Sequence, residues 1–175
     1  MKEIAVKVSD FCNQLETRLA AIPSPEKKME SAMSFVAQAF RVKPDEVAVL
    51  SLDPERELLC FLWPVKLQKS GVLPLSSNNS LAARTVRENR PYLDNRFASA
   101  HHAFIFEKVR LDVADKNSPL PIQKIISAPL PGNGYTKGVI QVSRKGEDPV
   151  RAGEDFTKND MAILVEISRV IARQL

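Results

Sequence analysis

At 175 residues the chain has the length of one compact domain, enough to bury roughly 70% of the surface that its unfolded form exposes. Hydrophobic residues make up 44% and charged residues 26%, which excludes disorder, a collagen-like repeat and a disulfide scaffold. The net charge is +4, and residues 82–124 hold eight basic residues against five acidic ones, while aromatic residues are only 6%. A nucleic-acid reader would interleave aromatics with the basic residues or show a reading helix, so no nucleic-acid partner is expected. The longest apolar run, Leu58 to Val65, contains Pro64 and falls far short of the roughly 20 residues of a spanning helix, so no membrane is expected either. Glu3, Lys7 and Asp10 interrupt any signal-peptide core, and Cys12 and Cys60 read as free thiols in a reducing cytoplasm.

Residues 3–22 read as a helix, because Ile4, Val8, Phe11, Leu15, Leu19 and Ile22 recur at intervals of three or four in a narrow, coiled-coil-like seam. Pro23 and Pro25 break it, and Ser24 caps a second helix whose Met29, Ala32, Met33, Val36 and Phe40 face a core. From Glu46 the pattern turns extended: Val47 to Leu52, a turn at Asp53-Pro54-Glu55-Arg56, then Leu58 to Trp63 predict a hairpin. Gly71 and Pro74 bound a short segment before the polar run 76–80, whose end caps a helix from Leu81 to Asn89, stopped by Pro91.

Residues 92–120 have no sustained period and read as loop with a short helix or strand near Phe104 to Val109. Gln123 to Leu130 and Tyr135 to Ser143 form a second hairpin across Pro131-Gly132-Asn133-Gly134. Thr157, with Asp160 three residues on, opens a last helix. On that helix Ile163, Leu164, Ile167, Val170, Ile171 and Leu175 cover about 140° of arc, wider than one sheet face covers.

This order of elements gives an α+β sandwich with an antiparallel sheet, and over residues 25–175 the chain resembles a GAF domain, the PAS-related small-molecule sensing domain, in a small stand-alone bacterial-type form. The resemblance rests on Gly71-Val-Leu-Pro-Leu, Ser80-Leu-Ala-Ala-Arg-Thr-Val-Arg-Glu with Arg90-Pro91, Gly138-Val-Ile-Gln-Val-Ser-Arg-Lys-Gly and Phe156-Thr-Lys-Asn-Asp. It implies a GAF-like antiparallel sheet with helices on both faces, while the seam of the separate helix at 1–24 and the over-wide arc of the last helix leave apolar surface for a helical homodimer interface. In cyclic-nucleotide-binding relatives an Asn-Lys pair ending a strand is followed by Phe, three residues, Asp and Glu. Lys145, Phe156 and Asp160 match, but Arg144 and Met161 replace the Asn and Glu, which argues against a cyclic nucleotide. Lys145 and Asp160 are then expected to form a structural ion pair between strand and helix. Relatives that reduce free methionine sulfoxide use several pocket cysteines, and bilin-binding relatives attach the pigment through a cysteine beside a histidine. Cys60 stands alone within the resembling region and no cysteine neighbours His101 or His102, so neither chemistry is expected.

No catalytic residue, metal site or cofactor is expected. His101 and His102 are the only histidines and, being adjacent, point different ways. A Ser99–His101 dyad lacks an oxyanion loop, and no glycine precedes a Lys-Ser or Lys-Thr pair. Arg84, Arg87 and Arg90 lie opposite Leu81, Ala82, Thr85 and Val86 on the helical wheel and should face water.

The expected ligand site lies between the sheet and residues 80–104. Asn79 and Ser80 stand at a helix N-terminus that favours a polar or anionic group. Asp94 and Asn95 either read a hydrogen-bonding edge or make turn hydrogen bonds. Phe97 and Phe104 supply apolar walls, and His101 and His102 a group that titrates near neutrality. The function expected is a non-catalytic, small-molecule-sensing or regulatory domain in signal transduction, signalling through a separate protein and dimerising through Phe11, Leu15, Leu164 and Ile171. The alternatives are a pocket enzyme of the free methionine sulfoxide reductase type and a ligand-free dimerisation scaffold.

Overall fold

The computed structural model describes residues 2–69, 71–99 and 120–175. In chain order these form helices α1 (Lys2–Ala20) and α2 (Pro25–Phe40), strands β1 (Val47–Asp53), β2 (Leu58–Trp63) and β3 (Val72–Pro74), and helix α3 (Leu81–Glu88). Strands β4 (Tyr92–Asp94), β5 (Ile122–Pro131) and β6 (Thr136–Lys145) and helix α4 (Lys158–Ala172) complete the order. The six strands make one antiparallel sheet in the order β3-β2-β1-β6-β5-β4.

Local chemistry sets the element ends. The Ser24 hydroxyl accepts from the Lys27 N–H with Pro25 in the first turn of α2, and Arg41 ends that helix in the left-handed region at φ 53°. Ser80 caps α3 by accepting from the Ala83 N–H at 3.2 Å. Thr157 and Asp160 close a reciprocal capping box on α4, at 2.7 Å from the Thr157 N–H and 3.1 Å from the Asp160 N–H. The β5–β6 turn places Gly134 at φ 81°, where a side chain would be strained.

Side chains alternate across the sheet. Val47 and Val49 of β1, Ile140 and Val142 of β6, and Ile126, Ala128 and Leu130 of β5 face a layer built from α1, α2 and α4. Ala48, Leu50, Val139 and Ile125 face the other way, towards Leu81, Ala82 and Val86 of α3. Helices therefore cover both faces, as the sequence predicts.

Three of the four residues expected at a dimer interface lie in this chain's own core. Leu15 and Leu164 are 0% exposed and Ile171 1%, and all three belong to the core beneath the sheet, with α1 packed directly on α4. A helix of the same chain covers part of the α4 arc that the sheet does not, and Met161, Ile163 and Val165 stay half-buried. Leu15, Leu164 and Ile171 thus cannot provide the dimer contacts expected of them. Phe11, half-buried, stacks on Phe35 of α2 with ring centroids 4.3 Å apart. Within 92–120 the structure adds a strand that periodicity misses: β4 holds its place by pairing Tyr92, Leu93 and Asp94 with Ser127, Ile126 and Ile125. The stretch Phe104 to Val109 lies outside the described residues. No helix among the described residues is long and apolar enough to cross a membrane.

Candidate functional site

The α3 face of the sheet is apolar at its rim and polar at its centre. Thr85 on α3 is 0% exposed, as is Ser127 on β5, and Gln141 on β6 is 6% exposed. Ser127 and Gln141 are register partners on adjacent strands, and the Thr85 and Ser127 hydroxyl oxygens lie 2.7 Å apart. Gln141 Nε2 donates to Ser127 Oγ at 3.2 Å, and Thr85 Oγ1 donates to the Leu81 carbonyl at 2.8 Å.

A hydroxyl has one proton, which fixes the direction of this chain. Thr85 spends its proton on Leu81, so Ser127 must donate to Thr85, and Ser127 in turn accepts from Gln141. Every hydroxyl is then satisfied, and the open end is the Gln141 amide. Among the described residues no donor reaches its Oε1, and its second N–H is likewise unspent. A carboxamide in this state presents an acceptor beside a donor, the edge that pairs with another amide or with a nucleobase. Gln141 keeps 6% of its surface open, so a bound polar group would take the place of water at this edge.

Of the residues singled out in the sequence, Ser80 is buried and spends its oxygen on capping α3, while Asn79 is exposed just before it. Asp94 Oδ1 accepts from the Arg96 N–H at 2.8 Å, a turn bond. Asn95 donates from Nδ2 to the Phe156 carbonyl at 2.9 Å and accepts at Oδ1 from the Phe156 N–H at 3.0 Å. Phe97 packs in the same apolar cluster as α3. His101, His102 and Phe104 lie outside the described residues.

The expected Lys145–Asp160 pair is replaced by other partners. Lys145, with its side chain 6% exposed, reaches the Asp45 carbonyl at 3.1 Å and its carboxylate at 3.9 Å. Asp160 is held by the Thr157 N–H and hydroxyl, both at 2.7 Å. The capping box keeps Asp160 on its own helix, and the segment before β1 offers Lys145 a nearer acid. Arg144, where the cyclic-nucleotide signature has Asn, donates to the Phe40 carbonyl at 3.2 Å at the negative end of α2 and lies 4.6 Å over the Phe156 ring. The residues matching that signature therefore build a structural junction of β6, α2 and the lead-in to α4.

The arginines of α3 face outward, as the wheel predicts, with one addition. Arg87 reaches back to the Leu75 and Ser77 carbonyls at 2.5 and 3.0 Å and pins the loop before the helix. Cys60 neighbours Leu59 and Phe61, which face α3, so its own side chain points to the opposite face. Cys12 is half-buried on α1, where burial first, and then Glu166 and Glu16, push its thiol pKa up. Among the described residues no group of three or more His, Cys, Asp or Glu is placed to hold a metal.

Gln141, Ser127 and Thr85 were missed as site residues in the sequence. Their signal is present there as single polar residues inside Val139-Ile-Gln-Val, Ile125-Ile-Ser-Ala and the apolar arc of Leu81-Ala-Ala-Arg-Thr-Val.

No family model matches the chain, and no curated protein does. Solved structures match it over nearly its whole length. The GAF domain of a phosphoenolpyruvate-protein phosphotransferase from Acinetobacter superposes with a TM-score of 0.69 at 14% identity, covering 95% of this chain and 94% of that one. The GAF domain of the corresponding protein from Coxiella burnetii gives 0.69 at 13%, covering 97% and 93%. A free methionine-R-sulfoxide reductase from Neisseria meningitidis, in complex with its substrate, gives 0.67 at 15%, covering 98% and 89%. At these identities the likeness speaks for architecture alone, and a six-stranded antiparallel sheet between α3 and the α1, α2 and α4 layer is that architecture: the chain has the GAF-domain fold.

Proposed function

We propose that the protein is a non-catalytic regulatory domain that binds a small polar molecule on the α3 face of its sheet. The observation that carries this reading is the one-directional chain from Gln141 through Ser127 and Thr85 to the Leu81 carbonyl, with the Gln141 acceptor unmatched among the described residues. A scaffold that only dimerised would have no use for a polar chain that ends on an open amide edge at these positions. The ligand class that suits it has a donor beside an acceptor on a planar edge, as in a primary amide or a nucleobase.

The second reading is the enzyme, favoured by the likeness to a free methionine-R-sulfoxide reductase. A cysteine-based reduction needs thiols at the site, and this chain has Cys60 on the opposite sheet face and Cys12 on α1. Those placements favour the non-catalytic reading.

Native mass spectrometry of gently purified protein tests it. A small molecule that co-purifies, is released on unfolding and is depleted in Gln141→Leu supports sensing. Retention of the same molecule in Gln141→Leu overturns the site, and protein that carries nothing and gains no thermal stability from metabolite extracts supports the scaffold.

A further inference from the structure

A concavity lies outside the α3 face, where the β5–β6 turn meets the last turn of α4. It is a cleft of about 520 Å³ bordered by Tyr135, Lys137, Arg169 and Arg173, floored by Pro131 and Ala172, and it has no carboxylate in its lining. Each cation is oriented from behind. Lys137 Nζ donates to the Ala172 carbonyl at 2.9 Å, Arg169 is paired with Glu166 and Arg173 with Glu16 of α1. An arginine has five N–H donors and each pair engages one edge, which leaves most of both forks for a second acid. Tyr135 is 59% exposed, an unusual setting for an aromatic ring, and it folds against Gly132, where an added Cβ would lie 3.1 Å from the Tyr135 Cζ.

We propose that this cleft docks an acidic segment of a partner protein, whose carboxylates meet Lys137, Arg169 and Arg173 while its backbone crosses the Tyr135 ring. Exposed charges are worth little one at a time, so an open cleft with three of them favours a ligand that engages several at once over a single small anion. The cleft holds one aromatic ring, and Glu166 and Glu16 stand behind the arginines. A nucleic acid would ask for a row of stacking rings, so a peptide is the better complement. The proposal concerns a surface separate from the α3 face and stands whether or not a small molecule binds there.

Fluorescence anisotropy of a labelled oligoglutamate peptide against the full chain tests it. A saturable rise is expected that weakens with added salt, falls by about tenfold or more in Arg169→Glu/Arg173→Glu, and falls less in Lys137→Gln, which removes one of the three charges. Thermal midpoints of the variants separate lost docking from lost folding, and Lys137→Gln alone keeps the test decisive if the double variant unfolds. No saturable rise, binding unchanged in Lys137→Gln and in the folded double variant, or tighter binding of oligothymidylate than of the peptide would each overturn the proposal.

Discussion

The side chain of Asn95 binds both polar groups of Phe156, donating to its carbonyl at 2.9 Å and accepting from its N–H at 3.0 Å. One side chain thus mimics a neighbouring strand and ties the turn after β4 to the segment that leads into α4. Phe156 is 2% exposed, so losing the clamp leaves its peptide groups short of partners. Asn95→Ala is expected to cost about 1–3 kcal/mol. Asn95→Asp keeps the acceptor but sets a second oxygen against the Phe156 carbonyl, and should be no better. Urea unfolding of the three proteins checks the order; a loss of less than half a unit of that range in Asn95→Ala would place the clamp outside the stable fold.

Burial of the α1 seam within the monomer gives a second test. Leu15 touches no water, so Leu15→Asp buries an unpaired carboxylate and is expected to cost about 3–5 kcal/mol. Circular dichroism should then show a large drop in melting temperature. A variant that keeps its melting temperature and only halves its mass in light scattering would restore the seam to the dimer interface.

How far the sequence carries is plain from particular residues. Ser24, Ser80 and the Thr157–Asp160 pair act through their own neighbours, so their caps are legible in the residue order, and each forms as predicted. The two hairpins are equally local in origin. Strand β4 is three residues long and exists because β5 lies beside it, a partner that periodicity does not reveal. Lys145 fails for a similar reason: its acid, Asp45, is a hundred residues away in the chain and is brought near only by the β1–β6 pairing. The α4 arc was read correctly as too wide for one sheet face, but whether the cover comes from α1 or from a second copy depends on tertiary packing. Gln141, Ser127 and Thr85 lie on three elements, and only the assembled sheet shows that they form one chain of hydrogen bonds.

Gly138 tests the packing beneath the site. A Cβ built there would lie 2.0 Å from the Leu50 carbonyl oxygen, which belongs to the backbone of β1 and cannot swing aside. Gly138→Ala should therefore force β1 and β6 apart and cost about 3 kcal/mol or more, at the upper end of overpacking effects. Chemical denaturation measures it. A near-neutral result would mean that the two strands are not paired as described.

The replacement of Asp160 by Asp45 as the partner of Lys145 is open to double-mutant cycles. With its side chain 6% exposed against 25% for Asp45, Lys145 should couple to Asp45 by roughly 1 kcal/mol and to Asp160 by nothing measurable. Asp160→Asn should lower stability on its own by weakening the α4 cap, by about 1 kcal/mol. Coupling that runs to Asp160 and spares Asp45 would reverse the assignment.

The surface between α3 and β4 carries a pH prediction of its own. Tyr92 donates its hydroxyl to Glu88, Arg84 and Arg90 each reach Glu88 at 2.9 Å, and both guanidinium groups lie 4.8 Å from the Tyr92 ring centre. The Tyr92 hydrogen bond first, and the Arg84 bond next, hold the Glu88 pKa down from 4.5 to about 2. A carboxyl depressed in the folded state stays ionised where the unfolded chain takes up its proton. Its contribution to stability is therefore present above the unfolded value and is lost as pH falls from there through the folded one. The carboxylate lies on the surface, so added salt should shrink the effect. An NMR titration of the Glu88 carboxyl carbon should give a midpoint near 2, and Tyr92→Phe, which removes the leading donor, should move it up towards 4.5. A wild-type midpoint already at 4.5, or one that Tyr92→Phe leaves in place, would show that the hydroxyl does not hold the carboxylate in solution.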